Sequence, residues 1–223
     1  GVSSFLFIAT ITAWIVYGMA LLTGLHPDFH RMLMPLLGMG LALGFYALLN
    51  AHLTRITRVK VALDNLPEAW RGRKAALVSD LHLGPVRNGN FLRRIIAKIL
   101  KEQPHAVFIA GDLYDGTAIG IGSAAAPLNQ LTTAPNGVYF VAGNHEQFRD
   151  DSEYLSAVAA AGVRVLHNEK VEVDGLQIVG IPYSNGRKPG SLLTTLKYIG
   201  LDPARASILL IHAPDHPEVA EAA

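Results

Sequence analysis

"VYFVAGNHE", residues 138–146, decides how this chain is read. The run Val138 to Ala142 is apolar and fits a strand buried on both faces. It stops at Gly143, and an amide, an imidazole and a carboxylate follow at once in Asn144, His145 and Glu146. A loop that only connects two elements has no need of those groups at the end of a buried strand.

The same pattern recurs on either side. Ala75–Ser79 (AALVS) is predicted as a short strand and runs into Asp80-Leu81-His82. Ala106–Ala110 (AVFIA) runs into Gly111-Asp112-Leu113-Tyr114-Asp115, and Ile208–Ile211 ends at His212. Between these strands, Phe91–Lys101 puts Phe91, Leu92, Ile95, Ile96, Ile99 and Leu100 on one helical face and its basic residues on the other. Residues 121–132 are expected to be helical, and Asp151 is expected to cap a helix that ends at Gly162. Val163–Leu166, Val171–Val173 and Leu176–Ile181 read as strands, the last two joined at Asp174-Gly175. A helix near 191–198 precedes the final strand, and Pro217–Ala223 suggests another after it. Alternating strands and helices predict an α/β fold. In open α/β sheets the carboxyl ends of the strands line one crevice. All four polar clusters are therefore expected at strand ends of one sheet.

Asp80, His82, Asp112, Asn144 and His212 offer carboxylate, imidazole and amide ligands. This donor set suits divalent Mn, Fe or Zn, and the chain has no cysteine. On an extended chain Asp80 and His82 point the same way and can hold one ion. Asp112 can bridge two ions, and Asn144 and His212 can bind the second. Two ions about 4 Å apart can hold a hydroxide and clamp a phosphoryl group. Each motif alone is commonplace; their joint order is what counts.

Taken together, D-x-H, G-D-x-x-D, G-N-H-E and the later strand-end histidine resemble the calcineurin-like metallophosphoesterase superfamily. "VSDLHLG", "IAGDLYDG", "VAGNHE", "RVLHNEKV" and "ILLIHAPD" are similar to its bacterial membrane-anchored branch, related to UDP-2,3-diacylglucosamine hydrolase. The resemblance spans residues 57–223. It implies a β-sandwich of two mixed sheets flanked by helices, with a dinuclear metal centre at one edge. It also implies that Asp80 and His82 bind the first ion, that Asp112 bridges, and that Asn144 and His212 bind the second. His145 would act as general acid for the leaving oxygen or as a transition-state clamp. Asp115 would orient and charge His145, and Glu146 would support the site without ligating. The superfamily's last motif, G-H-x-H, is expected in a further strand. The chain stops at Ala223 before it, so a C-terminal truncation is expected, with one ligand missing from each ion.

The front of the chain has a different character. Residues 1–50 carry only Asp28 and Arg31 as charged side chains. Ser4–Thr23 and Met32–Asn50 are each long enough to cross about 30 Å of hydrocarbon. The short linker GLHPDFHR predicts a transmembrane helical hairpin over residues 1–50, and Gly40 and Gly44 form a GxxxG step within it. Residues 51–74 are expected to be a linker and a first strand, and 75–223 the metallophosphoesterase domain. Arg55, Arg58 and Lys60 follow the second span, whereas the hairpin loop offers only Arg31. The positive-inside rule then predicts a multi-pass protein of the cell membrane with its catalytic domain in the cytoplasm.

The expected function is metal-dependent hydrolysis of a phosphate ester or pyrophosphate. The substrate would be a phosphorylated small molecule or a lipid, as in lipid A biosynthesis. The competing readings are an inactive membrane-tethered binding or sensor domain of the same fold, and a non-enzymatic membrane protein. A net charge of +1 gives no reason to expect a nucleic-acid partner, and the oligomeric state is left open. No direct role is expected for His26, His30, His52, His105, His167 or His216. Arg187 and Lys188 are expected in a solvated turn, with contact to a substrate phosphate as the alternative.

Overall fold

The computed structural model describes residues 2–117 and 120–222. Ala223, at the end of the last expected helix, and the side chain of His52 lie outside the described residues. The chain divides into two compact units, residues 1–60 and 61–223.

The first unit is a pair of helices, α1 (Val2–Leu22) and α2 (Phe29–His52). Ser3–Leu22 and Phe29–Asn50 are long and apolar enough to cross a membrane. The second helix starts three residues earlier than expected because Asp28 caps it. The Asp28 carboxylate accepts from the N–H groups of His30 (2.9 Å) and Arg31 (3.1 Å). Phe29 packs against the rings of Trp14 (4.6 Å) and Tyr17 (5.1 Å), which closes the hairpin at its turn. At Gly40 a Cβ would lie 3.1 Å from the Phe5 carbonyl oxygen and 3.4 Å from Ala9 Cβ. The glycine is what lets the two backbones approach there.

The second unit holds two sheets. The first contains β1 (Ala75–Val78), β2 (Ala106–Ala110), β3 (Val138–Val141) and β4 (Arg164–Val165), all parallel and in that spatial order. The second contains β5 (Glu169–Val173), β6 (Leu176–Ile181) and β7 (Ser207–Ile211). There β5 and β6 form an antiparallel hairpin, and β7 lies parallel to β6. Asp174 and Gly175 turn the hairpin with φ of 48° and 85°, which suits Asp-Gly. The helices of this unit are α3 (Gly89–Lys101), α4 (Ile121–Ala125), α5 (Ser152–Ala160), α6 (Tyr183–Gly186), α7 (Pro189–Ile199) and α8 (Pro217–Glu221).

Alternation along β2 and β3 builds both cores. Val107, Ile109, Val138 and Phe140 face the cluster that contains Leu92, Ile95, Ile96 and Ile99 of α3. Ala106, Phe108, Ala110, Tyr139 and Val141 face the cluster that contains Leu176 and Ile178 of β6. Strands buried on both sides read as continuous apolar runs, which is why these two stood out in the sequence. A β-carbon at Gly180 on β6 would run into Leu166 and Val141, so glycine permits the close approach there. Trp70 ties the chain before β1 to the second sheet, its indole N–H donating to the Val173 carbonyl at 2.8 Å.

Several expectations need correction. The first sheet is purely parallel and only the second is mixed. His212 follows β7 and so belongs to the second sheet, not to the sheet that carries the other three clusters. No strand lies between residues 53 and 74 among the described residues. Alternation there has no neighbouring ladder to join, and Val59 and Val61 are exposed. The helix expected over 121–132 is α4 followed by a 3-10 run, Ala126–Thr133, with Pro127 at its start. Asp151 makes no capping bond to α5; the carboxylate of Asp150 accepts from Ser152 N–H instead, at 3.1 Å.

Candidate metal centre

Because β1, β2 and β3 are parallel, the loops that leave their carboxyl ends share one edge of the sheet. The loop after β2 turns at Gly111 (φ 77°) and Asp112 (φ 50°). Asp112 is buried, with a side chain only 4% exposed. Its Oδ1 accepts from the His145 main-chain N–H at 2.9 Å. Its Oδ2 lies 3.4 Å from His212 Nε2, 3.8 Å from His145 Nε2 and 3.9 Å from His82 Nε2. Gly111 and Gly143 make room for this arrangement. A β-carbon at Gly111 would lie 2.8 Å from His212 Nδ1, and one at Gly143 would collide with Asp112 itself.

Glu146 is fully buried and holds the two loops together. Its carboxylate accepts from the main-chain N–H groups of Asp112 (2.9 Å), Tyr114 (2.9 Å) and Gly143 (2.8 Å). Burial raises its pKa above the usual carboxylate value, and those three N–H bonds oppose the shift. Glu146 therefore acts on the shape of the site through the backbone, at a distance from the ligand atoms.

The loop after β1 is built differently. The extended backbone expected for Asp80-Leu81-His82 is absent: Asp80 and His82 are left-handed, with φ of 56° and 47°. Main-chain bonds enforce the shape. Asp80 N–H donates to Gly111 O (3.2 Å), His82 N–H to Asp112 O (3.0 Å) and Leu83 N–H to Leu113 O (2.7 Å). The two side chains still meet, with His82 Nε2 3.7 Å from Asp80 Oδ1. Arg87, which no sequence pattern singled out, donates to the carbonyls of Asp80 (3.3 Å) and Leu81 (3.2 Å).

The second sheet contributes His212. Its Nδ1 is 2.8 Å from the Ala110 carbonyl oxygen, which can only accept, so the ring proton sits on Nδ1. In the neutral ring Nε2 then presents a lone pair. It faces Asn144 Oδ1 at 3.1 Å and Asp112 Oδ2 at 3.4 Å. His145 is oriented alike, its Nδ1 donating to a carbonyl oxygen 3.0 Å away. That carbonyl is the main-chain group of Asp115. The expected carboxylate contact is absent, because the Asp115 side chain is engaged with the main chain and hydroxyl of Thr117 (2.9 and 2.5 Å).

The Nε2 atoms of His212 and His145, each with its Nδ1 on a carbonyl, thus converge with the oxygens of Asp112 and Asn144, and His82 Nε2 lies beside them. Their separations around Asp112 Oδ2 exceed hydrogen-bond lengths. They approach those of ligands sharing a cation bound at about 2.1 Å. His82, Asp112 and His145 form one group of potential ligands within 4.8 Å, and Asp80, Asp112 and His212 form another. The donor set fits divalent metal ions, and Asp112 is the residue the two groups share.

Other sequence-derived positions fall around this centre. The Tyr183 ring lies 6.1 Å from that of His212, and the Arg187 guanidinium sits 5.9 Å from the Tyr183 ring. The loop expected as a plain turn therefore reaches the centre's periphery. His216 Nε2 lies 3.1 Å from the Arg187 carbonyl oxygen, and His105 Nε2 lies 2.7 Å from Arg73 Nη1.

A family model described as "Calcineurin-like phosphoesterase" matches residues 73–215. Similar curated proteins include "Transmembrane protein with metallophosphoesterase domain" from Danio rerio, 32% identical over 185 residues, covering 77% of this chain and 42% of the relative. The Bos taurus protein of the same name is 35% identical over 133 residues, covering 59% of this chain and 30% of the relative. An "Uncharacterized metallophosphoesterase" from Aquifex aeolicus is 31% identical over 176 residues, covering 77% and 67%. The chain spans less than half the length of the two vertebrate relatives.

Proposed function

The chain belongs to the calcineurin-like phosphoesterase family, and from that premise we propose that it is a membrane-anchored, metal-dependent phosphoric ester hydrolase. One observation carries the reading. A single buried carboxylate oxygen, Asp112 Oδ2, is ringed at 3.4–3.9 Å by the Nε2 atoms of three histidines, among the loops of two sheets. Asp80, His82, Asp112, Asn144 and His212 would hold two divalent ions of Mn, Fe or Zn. When bound, such a pair supplies Lewis acidity to the phosphoryl group and a water of lowered pKa.

The rest of the chemistry belongs to the chain. Asp112 and Asn144 keep their oxygens turned inward because Glu146 fixes the loops that carry them. His145 faces the same space with Nε2 while its Nδ1–H is committed to the Asp115 carbonyl. Protonated on Nε2, it would donate to the departing oxygen or hydrogen-bond the phosphoryl group in the transition state. Asp115 contributes by shaping the backbone rather than by charging the ring.

The substrate we favour is a lipid-linked phosphate ester or pyrophosphate, of the kind handled by the UDP-2,3-diacylglucosamine hydrolase branch that the motifs resemble. Two apolar helices in tandem support membrane anchoring, and the basic residues after the second support a cytoplasmic catalytic unit. Metal analysis and phosphatase assays of the full-length protein test this. We expect about two divalent ions per chain and hydrolysis of aryl phosphomonoesters or diesters. A folded protein that binds no divalent metal would overturn the reading. One that binds metal and lipid phosphate without turnover would be a sensor.

A further inference from the structure

We propose that Phe148 is a specificity-determining residue, forming an apolar wall for the departing group, so that the site selects phosphoesters whose leaving group has a hydrophobic body. The inference rests on the hydrolytic reading given above and on His145 as the group beside the leaving oxygen. Phe148 ends the 3-10 turn Glu146–Phe148. Its ring centroid lies 4.7 Å from that of His145. Its Cδ2 lies 3.4 Å from where a β-carbon on Gly116 would be. The residue is nevertheless 64% exposed.

Single exposed apolar residues are ordinary on protein surfaces. This one differs in its place and its firmness. It sits two residues beyond Glu146, whose three main-chain bonds fix the start of the turn. It touches the residue assigned to the leaving oxygen, so a group attached to that oxygen meets the phenyl face. A phenyl face carries negative electrostatic potential and is a poor partner for a phosphoryl anion. What it can offer is contact with an apolar group, and the exposed side chain has area left to bury. On the side of His212, the Arg187 guanidinium lies over the Tyr183 ring, which neighbours His212. Anionic and apolar parts of a substrate would thus meet different walls.

Aryl and long-chain alkyl leaving groups share this chemistry, and three substrates separate them: 1-naphthyl phosphate, dodecyl phosphate and glycerol phosphate. In the metal-loaded full-length protein, Phe148→Ala should raise KM about four- to ten-fold for the naphthyl ester, the dodecyl ester or both, with kcat held within about twofold. KM for glycerol phosphate should not move. Phe148→Leu should restore the dodecyl ester only, and Phe148→Tyr should restore the naphthyl ester. An equal change for all three substrates would mark a structural residue and overturn the proposal, as would no change in KM. Absence of turnover by the unmutated protein would remove the hydrolytic reading alone. Calorimetric binding of naphthyl phosphonate against methyl phosphonate then decides Phe148. Loss of the naphthyl preference in Phe148→Ala supports the wall, and an unchanged preference overturns it.

Discussion

The loop after β1 and the paired loops after β2 and β3 supply the same kinds of ligand but are held in opposite ways. Asp112, Asn144 and His145 rest on a buried carboxylate that gathers three backbone N–H groups from both loops. Asp80 and His82 rest on main-chain bonds to residues 111 and 112 and on an exposed arginine. The Asp80 side chain is 56% exposed where that of Asp112 is 4%. The β2–β3 side has a buried brace of its own, whereas the β1 loop takes its shape from main-chain bonds to the β2 loop, which returns one from Asp115 N–H to Leu83 O (3.0 Å). Asp80 and His82 both sit in a left-handed conformation that costs about 1–3 kcal/mol at each non-glycine residue, a cost that Asp112 alone bears on the other side.

The largest way to break this contrast is to remove the group both sides share. Asp112→Asn should lower kcat/KM by about a thousandfold or more and reduce bound metal below one ion per chain, read by steady-state kinetics and elemental analysis. Glu146→Ala attacks the firm side alone. It leaves three buried N–H groups without an acceptor, and thermal unfolding should show a loss of about 3–5 kcal/mol, with metal affinity falling in step. Arg87→Ala attacks the loose side. Metal affinity should weaken about tenfold by calorimetry while the unfolding temperature barely moves. Equal effects of these last two substitutions would erase the distinction. Asp115→Asn should be smallest, within about twofold in kcat, because His145 leans on a main-chain carbonyl that the change preserves. A hundredfold loss there would restore the carboxylate to the role expected from the family.

These differences mark what a sequence can and cannot disclose. The apolar runs of β2 and β3 were legible because strands buried on both faces need no polar alternation. The candidate ligands were legible because amides, imidazoles and carboxylates are out of place at the ends of such strands. The helical hairpin followed from two long uncharged apolar runs joined by a short linker. The left-handed turns at Asp80 and His82 were not legible, since spacing along an extended chain assumes the very backbone they abandon. Nor does an apolar run such as Ile208–Ile211 say which sheet it will join, and β7 joined the second. Asp115 meets His145 through its main-chain carbonyl rather than the carboxylate expected, a distinction side-chain chemistry cannot make. Arg87 and Phe148 lay in no motif and became visible only through what they touch.

The bond from His212 to Ala110 has a consequence for how the molecule comes into being. Its partners are 102 residues apart in the chain. Contacts of such long separation form late, and chains emerge from the ribosome amino end first. The β2–β3 pocket can thus be shaped while β7 is still being synthesised, and a stray cation reaching it then finds an incomplete cage. On the proposed metal reading, firm capture would wait until the second sheet closes over the first, and metal retention would certify that synthesis and docking of β7 are complete.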